Sequence, residues 1–76
     1  MEQYKNLAGD SGVIAYELGR GSITIQFAEG AYRNYLYDSH KPGAVIVAEL
    51  MRLAVAGRGL NSYINRYVKK NYAGRS

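Results

Sequence analysis

The stretch Gly57-Arg58-Gly59-Leu60-Asn61-Ser62-Tyr63-Ile64-Asn65-Arg66-Tyr67 decides how this chain is divided. Two glycines one residue apart stop whatever precedes them, and the residues after Gly59 resume with helical spacing. Looking upstream, Ile46, Val47, Leu50, Met51, Leu53 and Ala54 recur at the 3.6-residue period, which predicts a core helix over 44–56. Glu49 and Arg52 lie three apart on its other side, where they can pair. Gly57 is the natural left-handed C-cap, and Pro42 suits the first turn, where its missing N–H costs nothing. Looking downstream, a second helix is expected from about Leu60 to Tyr72. Leu60, Ile64, Tyr67 and Val68 form its inner stripe, with Ser62, Arg66, Lys69 and Lys70 outside and Tyr63 on the boundary. Either Gly59 or Asn61 caps its start, and Ala73–Ser76 reads as a fraying tail.

Between Gly12 and Tyr37 three segments have the two-residue period of strands. Over 12–18, Ile14, Tyr16 and Leu18 fall on one face and Val13, Ala15 and Glu17 on the other. Gly19-Arg20-Gly21-Ser22 is a tight reversal, and Ser22–Ala28 alternates again, with Ile23, Ile25 and Phe27 opposite Thr24 and Gln26. Glu29-Gly30 turns the chain once more. Ala31–Tyr37 follows as a strand with Arg33, Tyr35 and Tyr37 on one face and Tyr32, Asn34 and Leu36 on the other. Which of these faces is buried depends on the hairpin register. Residues 1–11 hold only Tyr4 and Leu7 as large apolar side chains and read as a loose arm or a short edge strand. The expected architecture is α+β: a three-stranded antiparallel meander followed by two helices, in the order β-β-β-α-α, as one domain over residues 1–76.

A chain of 76 residues buries about 60–65% of the surface it exposes when unfolded, so its core is thin. Without cysteine, disulfides and thiolate metal sites are excluded, and a reducing cytoplasm is the expected location. The longest apolar run, Ala44–Ala48, falls far short of the roughly 20 residues a membrane span requires. The net charge of +4 is unevenly divided: residues 1–49 sum to −2, whereas residues 50–76 carry Arg52, Arg58, Arg66, Lys69, Lys70 and Arg75 with no acid, for +6. That split suits an anionic partner, although a solvated basic helix has the same composition.

Catalytic chemistry finds no foothold. His40 is the only histidine and sits in a polar loop, the carboxylates are scattered, and Ser11, Ser39 and Ser62 have no base nearby in sequence. No enzyme activity, cofactor or metal is expected. Two binding readings remain. One is a protein-interaction module, acting through self-association or another protein, because small size and eight tyrosines favour interfaces. The other is binding of RNA or single-stranded nucleic acid. Here Arg58, Arg66, Lys69 and Lys70 would meet phosphates, Tyr63 would stack and Asn61 would bond a base edge. Tyr35 and Tyr37 form a candidate aromatic surface for the same purpose, or else pack as sheet and core tyrosines.

The chain also resembles the KTSC domain, a short family found alone and at the C-terminus of some lysyl-tRNA synthetases. Ser11, Ile14-Ala15-Tyr16-Glu17, Gly21, Ile23, Ile25, Phe27 and Gly30 are similar to its S…I-G-Y-D…G-x-L-x-V-x-F-x-x-G pattern. Tyr35 and Tyr37 resemble its Y-x-Y pair, Pro42 its proline, and Gly57-Arg58, Leu60-Asn61, Ile64 and Tyr67 its G-R-Y-F-N-x-x-I-R-x-x-Y segment. Ala15 stands where the family has glycine, Leu60 where it has an aromatic residue, and Asn65 where a basic one is common. The resemblance implies a small α+β fold, and the synthetase fusions point to RNA.

Overall fold

The computed structural model describes all residues, Met1–Ser76. Its elements are β1 (Glu2–Gln3), β2 (Val13–Gly19), β3 (Ser22–Phe27), β4 (Asn34–Asp38), α1 (Ala44–Ala56), α2 (Leu60–Tyr63) and β5 (Gly74–Arg75), with a π-helical turn over Ile64–Val68 continuing α2. The strands pair antiparallel in sequence order, so the expected meander is present but has five strands rather than three. The N-terminus, read as a loose arm or a short edge strand, is a two-residue edge strand, and the C-terminus, expected to fray, adds a second one. Two residues are too few for alternation to be visible in the sequence.

The β2–β3 hairpin turns where the glycines predict, with Gly21 at φ +67° and Gly19 paired to Ser22. On β3 the expected faces hold: Ile23 and Ile25 are fully buried, while Thr24 and Gln26 face outward and are half-buried. On β2 they do not. The register slips by one residue between Val13 and Ala15, a bulge at Ile14. The extra residue puts Val13 and Tyr16, three apart, on the same buried face and leaves Ile14 and Leu18 exposed. The Ile14 carbonyl instead accepts the Tyr4 N–H at 2.9 Å, fastening the N-terminal arm. The third strand starts at Asn34 and not Ala31, because the Phe27 N–H donates to Arg33 and the Ala28 N–H to Gly12, drawing 28–33 into a loop.

Helix α1 keeps its predicted limits. Gly57 caps it in the left-handed conformation (φ +77°), its N–H shared between the Leu53 and Ala54 carbonyls. Pro42 lies outside the first turn, since Gly43 is the N-cap. Gly59, at φ +81°, starts α2. The second helix ends at Val68 instead of Tyr72, because the Lys69 N–H closes a wide turn onto Ile64 (2.6 Å) and Lys69 then takes φ +53°. That wider turn keeps Ile64 and Val68 inward but swings Tyr67 off the inner stripe, to 63% exposure.

The helices cover one sheet face. The core between them comprises Tyr4, Val13, Tyr16, Ile23, Ile25, Tyr37, Val47, Leu50, Ala54, Leu60, Ile64 and Val68. Each large side chain here contributes roughly 1.5–3 kcal/mol by leaving water. Tyr4 belongs to this core although it sits in the polar arm: its hydroxyl accepts the Leu60 N–H at 3.3 Å, satisfying a donor at the start of α2. The arm thus straps the sheet to the junction between the helices. No helix is long and apolar enough to cross a membrane.

Candidate nucleic-acid interface

Only one ion pair forms in the molecule: Arg52 to Glu49, at 2.6 Å on the surface of α1. Their hydrogen bond lowers the Glu49 pKa and raises that of Arg52. Arg58, Arg66, Lys69, Lys70 and Arg75 therefore have no carboxylate within 4 Å, and all five are exposed. The cationic C-terminal third is unneutralised in three dimensions as well as in sequence.

The structure distributes the sequence-predicted residues over three depressions. Tyr63, Arg66 and Lys69 line an open groove of about 800 Å³ between α1 and the π-helical turn, together with Asn65 and Tyr67. The rings of Tyr63 and Tyr67 lie 5.1 Å apart, tilted at 44°, and leave Tyr67 open to a stacking partner. Lys69 and Lys70 border a second cavity of about 310 Å³, walled by Phe27, Tyr35, Tyr37 and Tyr72. Asn65 and Lys69 line both, so groove and cavity adjoin at the turn. Arg58 and Asn61 line a third cleft, against Asn6, Asp10 and Ser11 of the arm, which shares Gly59 and Ser62 with the groove but none of the other four predicted residues. Gly57-Arg58-Gly59 reverses the chain and carries them away from the other four residues.

The candidate aromatic surface at Tyr35 and Tyr37 is corrected. The register puts both on the helix-covered face, level with Ile25 and Ile23. Tyr37 is 1% exposed, and Tyr35 is half-buried between Phe27 and Tyr72, edge-to-face with each at 5.3 and 5.0 Å. Neither offers a free ring face on the sheet. Burial pushes the Tyr37 phenol up to about 12, and the neighbouring Tyr35 and Tyr72 add to the shift, so Tyr37 stays a neutral donor at any physiological pH.

Five contributors escaped the sequence reading: Phe27, Asn65, Tyr67, Tyr72 and Arg75. By periodicity Phe27 and Tyr67 are packing residues and Tyr72 ends a helix. Arg75 is brought in by β5, which pairs with Tyr35 and holds its guanidinium 4.3 Å above the Tyr32 ring and 5.6 Å from that of Tyr72. A cation–π contact of this kind restrains the group while leaving its in-plane N–H donors free. His40 is exposed in the loop before α1, where its backbone N–H donates to Asp38 Oδ1. No three potential metal-ligating side chains come together.

Compared with protein families, curated proteins and solved structures, the chain has no match.

Proposed function

We propose that this protein is a small non-catalytic binding module that takes single-stranded nucleic acid, RNA in the first instance, along the track from the Tyr63–Tyr67 groove to the cavity beside Tyr72. One observation carries the reading: Arg66, Lys69, Lys70 and Arg75, none paired to an acid, are interspersed with tyrosines around two depressions that share Asn65 and Lys69. Cations neutralise phosphates, exposed tyrosine rings accept bases without sequence preference, and the Asn65 amide can read a base edge. The KTSC resemblance, with its synthetase fusions, is a proposal that agrees with RNA as the partner.

The test is retention of labelled single-stranded RNA over a range of salt. With three or four phosphates neutralised, log affinity should fall against log salt with a slope of about −2 to −3. Lys69→Glu/Lys70→Glu should abolish retention while circular dichroism and the melting transition persist. Salt-independent binding, or none at low ionic strength, rejects the proposal.

A specific observation supports a second reading, contact with protein, most simply a second copy. The outward side of α1 exposes Val45 (84%), Ala48 and Val55 (52%), apolar where a solvated helix carries charge. Sedimentation equilibrium decides this: a monomer at high concentration, unchanged by Val45→Glu, removes it.

A further inference from the structure

The cavity beneath the π-helical turn has a feature that general strand binding does not use. Tyr37 is almost wholly enclosed, yet its hydroxyl makes no hydrogen bond with the protein, and no buried side-chain oxygen is both sealed and unpartnered. Some of the small remaining exposure of Tyr37 is therefore at that hydroxyl, and the open space that Tyr37 lines is the 310 Å³ cavity. A hydroxyl that opens onto the cavity without a partner in the protein is free to donate to a ligand atom there.

The surroundings define that ligand. Tyr35 packs edge-to-face with both Phe27 and Tyr72, which occupies ring surface that a stacking base would need. Lys69, Lys70 and Arg75 border it against one acid, Glu29, a local balance of +2. Hydroxyl donors with excess positive charge suit an oxyanion. A phosphate monoester carries about −1.5 to −2 at neutral pH and exposes three acceptor oxygens, whereas a diester within a chain carries a single charge. The volume lies at the lower limit of the roughly 300–1,000 Å³ usual for ligand sites, enough for one terminal group. Lys69, held at φ +53° after the π-helical turn, stands where groove and cavity meet.

We infer that this cavity is a phosphomonoester site, with the Tyr37 hydroxyl as donor and Lys69, Lys70 and Arg75 as counter-charges, which takes the phosphorylated end of a single strand or a nucleoside monophosphate. It rests on the nucleic-acid reading above and adds an end preference to it.

The experiment compares 5′-phosphorylated, 3′-phosphorylated and unphosphorylated RNAs of one sequence by fluorescence anisotropy, at fixed salt, on the full chain. One phosphorylated end should bind about tenfold more tightly than the unphosphorylated strand. Tyr37→Phe, which deletes only the hydroxyl, should remove most of that ratio, whereas Arg66→Gln in the groove should weaken all three RNAs and keep the ratio. Equal binding of all three ends, or a ratio that survives Tyr37→Phe, overturns the site while leaving strand binding intact. If no RNA is retained, the strand reading fails and an NMR titration decides the cavity separately. Saturable shifts at Tyr37, Lys70 and Tyr72 with nucleoside monophosphate or inorganic phosphate support it, and none up to roughly 10 mM overturns it.

Discussion

Gly57 carries two demands at once, and replacing it by alanine separates them. Its φ of +77° lies in the left-handed region, which costs an L-residue roughly 1–2 kcal/mol. A Cβ there would also stand 2.6 Å from Lys5 Cβ and 3.2 Å from Lys5 Cγ and Cδ, so the N-terminal arm must move. Moving the arm strains the bond from the Leu7 N–H to the Gly57 carbonyl (2.8 Å), about 0.5–1.5 kcal/mol, and loosens the packing of Tyr4. Gly57→Ala should therefore cost roughly 2–4 kcal/mol, out of a total stability of about 4–11 kcal/mol for a chain of this length. The melting temperature should drop by at least about 8 °C. The measurement is urea denaturation of a double-mutant cycle with Lys5→Gly, which removes the three clashing carbons. In that background Gly57→Ala should cost only the backbone part, giving a coupling of about 1–2 kcal/mol. If the two substitutions add within about 0.5 kcal/mol, the arm does not lie over Gly57 and the strap is wrong.

Three further outcomes are expected. Tyr4→Phe strands the Leu60 N–H inside the core and should cost about 1–3 kcal/mol, read by denaturation, with little change in packing volume. The Tyr37 phenol, at about 12 folded against about 10 unfolded, gives stability that is fully present below pH 10 and falls as pH rises to 12, because the unfolded chain loses its proton first. The loss should reach up to about 2 kcal/mol, less than the full shift implies because the hydroxyl borders the open cavity, and the difference between wild type and Tyr37→Phe isolates it. Lys69→Gly should relieve the positive φ and stabilise the fold by roughly 1 kcal/mol while weakening RNA retention, whereas a destabilised variant would contradict strain at that residue.

The parts of the fold legible in the sequence were those set by periodicity and by glycine. The β2–β3 turn, the β3 faces and the limits of α1 follow from alternation, from 3.6-residue spacing and from the cap at Gly57, all short-range effects. What escaped depends on partners distant in sequence. The bulge at Ile14 answers to the arm strand β1, and Tyr4 enters the core because a helix start 56 residues away needs an acceptor. Tyr72 and Arg75 reach the site because β5 pairs with β4. The composition marked the cationic third of the chain, but it could not tell that Arg58 and Asn61 turn one way and Arg66, Lys69 and Lys70 the other. That separation comes from the left-handed Gly57 and Gly59 and from a π-helical turn, and a 3.6-residue pattern contains no sign of the latter.

The sheet edges leave little room for another chain to add a strand. Edge strands invite added strands because they present unpaired N–H and C=O groups. Here β1 and β5 each pair two positions of their neighbour, so neither is long enough to template another strand. The uncovered end of β2 is short and includes the charged Glu17, which further discourages pairing. The outer sheet face is tied across by the bond from Gln26 Nε2 to Asn34 Oδ1 at 3.2 Å and has no aromatic platform. The same two termini that shorten the edges shape the opposite side, the arm by fixing the start of α2 and the tail by bringing Arg75 to Tyr72. Closing the edges and assembling the basic, aromatic depressions on the helix side are thus consequences of one topology.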